Sequence, residues 1–76
     1  MQMILTAIDR DKRKKHLRTF TSPEFIPKVN DTVILQSDDA IEMFIVVRRK
    51  FVYDYTHATL NTVYVQVRKA TKEEEE

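Results

Sequence analysis

The chain contains no glycine. Average usage is roughly 7%, so about five would be expected in a chain of this length. The absence removes whole classes of site. A P-loop wraps phosphate in backbone N–H groups that only glycines bring close enough, and a dinucleotide fingerprint brings backbone to pyrophosphate in the same way. Neither can exist here. The glycine-built RNA-binding motifs, the GXXG clamp and the RNP1 strand, are excluded as well. Tight hairpins that normally use Asn-Gly or Asp-Gly must instead use longer loops, or Asn and Asp in the left-handed region.

Cysteine is also missing. Disulfides and thiolate-bound zinc are therefore unavailable to a 76-residue chain whose core is small. The chain is long enough for one domain. No apolar run approaches the ~20 residues that span a bilayer. Met1–Ile8 is apolar but short for a secretory segment, and the basic cluster follows it rather than preceding it. The expectation is a mature, cytoplasmic protein.

Charge is informative by position. The net charge is +1, but four of the twelve acids are Glu73–Glu76. Residues 1–72 hold thirteen basic and eight acidic side chains, a net of +5. Six of the cations, Arg10, Lys12, Arg13, Lys14, Lys15 and Arg18, fall within ten residues alongside Asp9 and Asp11. A near-neutral total conceals a basic body (1–70, one small β domain) and a polar, acidic terminal stretch (71–76) expected to be disordered.

Residues 2–8 suit a first strand. A solvated loop over 9–15 follows, because only Leu17 is apolar within 9–17 and no helical stripe can form. Residues 16–21 return as a hairpin partner. Ser22-Pro23-Glu24 carries a helix-start signature, and Pro27 limits it to one turn at 23–26 that holds Phe25 and Ile26 on the core. Asn30-Asp31 makes a turn into a strand ending at Gln36, with Val33 and Leu35 on one face. Ser37 could cap a helix over 38–46, but Ile45-Val46-Val47 favours a strand. Residues 41–53 form the longest strand, with Ile41, Met43, Ile45 and Val47 on the buried face. Strict alternation would bury Arg49 too, so a bend or bulge is expected near 48–50. Residues 62–69 alternate most cleanly, Val63, Val65 and Val67 inward against Tyr64, Gln66 and Arg68 outward. The sum is an all-β, mainly antiparallel domain: a small barrel or strongly bent sheet of about five strands with one helical turn.

The stretch from Ile26 to Tyr55, IPKVNDTVIL and then FIVVRRKFVYDY, resembles the small SH3-like β-barrels. There a short turn feeds one strand, a hairpin follows, and the third strand bends sharply. It is also similar to short proteins carried by bacteriophages and mobile elements. The resemblance covers under half the chain, and Asn30-Asp31 stands where Gly-Asp is common. It implies a fold and no functional residues, since that fold serves modules binding RNA, DNA, peptides and proteins alike.

No enzyme is expected. His16 and His57 lack metal-ligand spacing, and Asp38-Asp39 with Glu42 read as turn chemistry rather than an acid–base pair. No cofactor or metal motif is present. The basic cluster is the strongest feature, because cations that neutralise phosphate release condensed counterions. The expected nucleic-acid-binding set is Arg10, Lys12, Arg13, Lys14, Lys15 and Arg18, widened by Arg48, Lys50 and Arg68. Tyr64 would offer a stacking face, and Tyr53 or Tyr55 would stand near the same cations. The bland reading is that these charges solubilise the surface and protect strand edges. A rival function is a protein-interaction or self-associating module, a homodimer or a phage-type inhibitor of a host protein. The glutamates at 73–76 could either solubilise the chain or fold over the basic patch and compete with phosphate.

Overall fold

The computed structural model describes residues 1–75. It has five strands: β1 (Gln2–Ile8), β2 (Lys14–Thr21), β3 (Thr32–Gln36), β4 (Ile41–Asp54) and β5 (Thr59–Lys69). They form one curled sheet in the order β2-β1-β5-β4-β3, a half-barrel compatible with a small barrel-like fold. Pairings are antiparallel except for β1 with β5, which run parallel. A parallel pair needs a long connection, and everything from the first hairpin to the last supplies it.

The strand with the cleanest alternation takes the centre. Val63, Val65 and Val67 of β5 are fully buried. Across one ladder they face Met3, Leu5 and Ala7 of β1. Across the other they face Phe51, Arg49 and Val46 of β4. Phe44, Leu17, Phe20, Ile26, Val33, Leu35 and Leu60 complete this concave, apolar side. Each fully buried Leu or Val contributes about 1.5–3 kcal/mol over its exposed state.

Three irregularities in the ladders curl the sheet: opposite Leu5/Thr6, between Val46 and Arg48, and between Val52 and Tyr53. An extra residue on one strand bends it and raises the local twist. The curl brings the edge strands β2 and β3 to either side of a groove lined by Leu17, Phe20, Val33 and Leu35. The two edges are not hydrogen-bonded neighbours.

Two expectations are corrected. No helix exists among the described residues, and the turn at 23–26 is irregular chain. Pro27 has no N–H to donate to the Pro23 carbonyl, and it pushes Ile26 towards extended backbone. Ile26 packs on the core, but Phe25 is 78% exposed. In β4 the core-facing residues are Phe44 and Val46. Ile41, Met43 and Ile45 lie on the other face; Ile45 is buried there as expected, but Ile41 is 67% exposed and Val47, also expected inside, is 39% exposed. The reason is the register with β3, which sets Val33 opposite Phe44.

The missing glycines have a structural counterpart. Lys12, Ser22, Asn30 and Ala58 all have positive φ. Asn30 sits in the expected turn, where its neighbour Asp31 takes the Lys28 N–H on Oδ2 at 2.7 Å. No helix among the described residues is long and apolar enough to cross a membrane. The expectation of a disordered terminal stretch includes Glu76, which lies outside the described residues.

Candidate nucleic-acid interface

Side chains alternate across a strand, so residues paired across a ladder share a face. The face opposite the core is therefore read directly from the register. Lys50 pairs with Tyr64, Tyr64 with Ile4, and Ile4 with Thr19. One row along, Arg48 pairs with Gln66, Gln66 with Thr6, and Thr6 with His16. Beyond these stand Arg68, opposite Ile45, and Lys14, opposite Ile8. Adjacent strands are about 4.8 Å apart, and successive rows on one face about 6.7 Å. Arg48, Lys50, Tyr64, Arg68 and Lys14 thus occupy one convex surface, with hydroxyl, amide and imidazole groups between them.

The irregularity at Val47 creates this arrangement. Val46 faces the core, so uninterrupted alternation would turn Arg48 and Lys50 inward. The extra residue reverses the phase, sending Arg48 and Lys50 out and Arg49 and Phe51 in. Arg49 then lies over the Phe51 ring, 5.2 Å from its centroid, in cation–π geometry. The expected bend near 48–50 is present one residue earlier, but its effect is the reverse of the one expected: it turns Arg49 to the core side, opposite Val65, where the guanidinium lies over Phe51.

The β1–β2 loop carries the next three cations. The Asp9 carbonyl accepts the Lys12 N–H at 3.1 Å, and the Asp9 N–H donates to the Arg13 carbonyl at 3.1 Å. Lys12 holds the left-handed position of this turn, at φ 61°. Asp9 Oδ1 accepts the N–H groups of Asp11 (3.0 Å) and Arg13 (2.8 Å). The acid is thereby directed at loop backbone, and Arg10, Lys12 and Arg13 are left exposed beside Lys14.

The remaining members of the basic cluster diverge. Lys15 pairs with Ala7 and Arg18 with Leu5, so both belong to the concave side. Arg18 lines the groove between the sheet edges. Two adjacent residues, Lys14 and Lys15, thus point to opposite faces. Tyr53 pairs with the core residue Leu60 and so leaves the convex face, while Tyr55 is 98% exposed in the β4–β5 turn. Of the three tyrosines only Tyr64, 39% exposed, stands among the convex cations.

Arg68 has a partner that spacing alone did not reveal. Its guanidinium donates from both terminal nitrogens to the two carboxylate oxygens of Glu74, at 2.7 and 2.8 Å. Thr71 shapes the turn: its carbonyl accepts the Glu74 and Glu75 N–H groups at 3.1 Å, and its own N–H donates to Glu74 Oε1 at 3.0 Å. The Arg68 side chain, foremost, holds the Glu74 carboxyl down to about 2. Beside this fork a cleft of about 720 Å³ is lined by Arg10, Arg68, Lys69 and Lys72, with Ile8, Val47 and Ala70 as its apolar surface.

The two histidines sit in separate elements. His16 bonds through Nε2 to Thr19 Oγ1 at 2.9 Å. His57 bonds through Nδ1 to Asp54 Oδ2 at 2.8 Å in the β4–β5 turn, and this contact holds the Asp54 carboxyl below its usual range. Asp38 and Asp39 occupy the turn closed by Ser37 and Ala40. Among the described residues no cluster of three or more His, Asp or Glu could hold a metal ion. Comparison of the chain with protein-family models, with curated proteins and with solved structures finds no match.

Proposed function

We propose that this chain is a non-enzymatic binding module that takes nucleic acid on its convex face. The observation that carries the reading is the cross-strand pairing of Lys50 with Tyr64, flanked on the same face by Arg48 and Arg68. An aromatic ring bordered by cations offers a base a stacking surface and its phosphates a counter-charge. Lys14 extends the face, and Arg10, Lys12 and Arg13 add a mobile-backbone-free grip, because their loop is tied down by Asp9. Binding through such groups is sequence-tolerant and weakens with salt. Lys15 and Arg18 have no part in this face.

The test is fluorescence anisotropy with labelled single- and double-stranded oligonucleotides at low and near-physiological salt. Saturable binding with a log-linear salt slope, tighter for single strands, is the expected result. Absence of binding at low salt overturns the reading.

One observation favours a second reading, a self-associating or protein-binding module. The edge strand β3, TVILQ, carries no charge, and its Ile34 is exposed, as is Ile41 on the adjacent β4. The other edge, β2, is guarded by Lys14, Lys15 and Arg18. Light scattering tests this: a dimer that Ile34→Lys converts to monomer would support it.

A further inference from the structure

We propose that Arg68, at the edge of the cleft it helps line, anchors a phosphate site, and that Glu74 holds its pair of donors in the free protein. This rests on the nucleic-acid reading and names the point where one backbone phosphate sits.

The geometry of the fork is the starting point. A guanidinium engages carboxylate and phosphate through the same pair of parallel N–H donors. Glu74 presents both oxygens to both terminal nitrogens of Arg68. It occupies the position a phosphodiester would take. The surroundings suit an anion better than a single carboxylate requires. Arg10, Lys69 and Lys72 line the same cleft, and among the described residues Asp9 is the one acid in that lining. Asp9 turns its Oδ1 onto the N–H groups of Asp11 and Arg13. Arg10, Arg68, Lys69 and Lys72 thus border a recess that adjoins the fork between Arg68 and Glu74.

The occupant is also built to leave. Apart from the fork, the Thr71–Glu75 turn is held by the three N–H bonds to the Thr71 carbonyl and to Glu74, and by a long 3.4 Å bond from the Glu74 N–H to Thr71 Oγ1. Residues 71–75 are all exposed. Releasing Glu74 therefore uncovers Arg68 without disturbing the sheet. Arg68 lies on the row of Ile45 and next to that of Arg48 and Gln66, so a strand stacked on Tyr64 runs along the face into this cleft.

The experiment compares the full chain with Glu74→Gln, Glu75→Gln and Glu74→Gln/Arg68→Met. Oligonucleotide affinity is read by anisotropy, and inorganic phosphate is titrated while the Arg68 side-chain N–H is followed by NMR. Glu74→Gln should tighten oligonucleotide binding about tenfold, the scale of one charge-assisted contact. Glu75→Gln has the same net charge and should change it little. Adding Arg68→Met should erase the gain. Phosphate should shift the Arg68 signal saturably in Glu74→Gln and weakly in the native chain. Equal tightening by Glu75→Gln, or no phosphate-dependent shift, overturns the site while leaving the convex-face reading intact. A phosphate-dependent shift confined to Glu74→Gln, with no oligonucleotide binding by any form, upholds the site and overturns nucleic acid as its ligand.

Discussion

Lys50 stands directly across the β4–β5 ladder from Tyr64, both on the face turned away from the core. In sequence they are fourteen residues apart, and each is unremarkable alone. Together they set a cation beside an exposed ring. Tyr64→Ala should weaken single-strand binding about tenfold, since stacking of a base on an aromatic ring is worth about 1–3 kcal/mol. Anisotropy with a short homopolymer checks this, and double-strand affinity should change much less.

Lys14 and Lys15 make a sharper test of the face. Lys14 shares the convex side with Thr6 and Arg48, while Lys15 pairs with Ala7 on the concave side. Lys14→Glu should lower affinity across all sequences and flatten the salt slope by about one ion. Lys15→Glu, with the same change in net charge, should do so far less. Equal effects would mean that overall charge, not the face, determines binding.

The Glu74 contact depends on pH in a definite direction. Its carboxyl lies at about 2, below the ordinary 4.5, with the Arg68 hydrogen bonds as the largest cause. A lowered carboxyl favours the bound turn fully above its ordinary value. That contribution is lost as pH falls from there through about 2. An NMR titration of the Glu74 carboxyl carbon should show the low midpoint, and Arg68→Met should return it to the ordinary glutamate range.

Leu5 is 1% exposed, between the Val65 ladder and the Arg18 ladder. Leu5→Ala should cost about 2–5 kcal/mol, the usual range for a buried leucine. A domain this small rarely has more than ~3–5 kcal/mol in hand. Chemical denaturation should find the variant largely unfolded in buffer.

Ala58 has φ 53° in the β4–β5 turn. The left-handed region costs a residue with a Cβ about 1–2 kcal/mol, and glycine's extra unfolded freedom returns about half of that. Ala58→Gly should therefore raise stability by roughly 0.5–1 kcal/mol, visible as a higher denaturation midpoint.

Much of the architecture was legible in the chain because local chemistry specifies it. Period-two alternation in Val63–Val67 marked the central strand, and Asn30-Asp31 marked a left-handed turn where glycine is absent. The 10–18 cluster followed from the order of the charges, and the exclusion of glycine-built phosphate loops from composition alone. Pairing did not. Alternation says that two faces exist, and in β4, apolar on both, it cannot say which is inward. The ladder to Val33 decided for Phe44 and Val46, and the extra residue at Val47 then reversed the phase for the cations beyond it. The same register separated Lys14 from Lys15, joined Tyr64 to Lys50, and set Arg68 where Glu74 could reach it. These relations are long-range, and only a folded sheet, with every strand in one register, determines them.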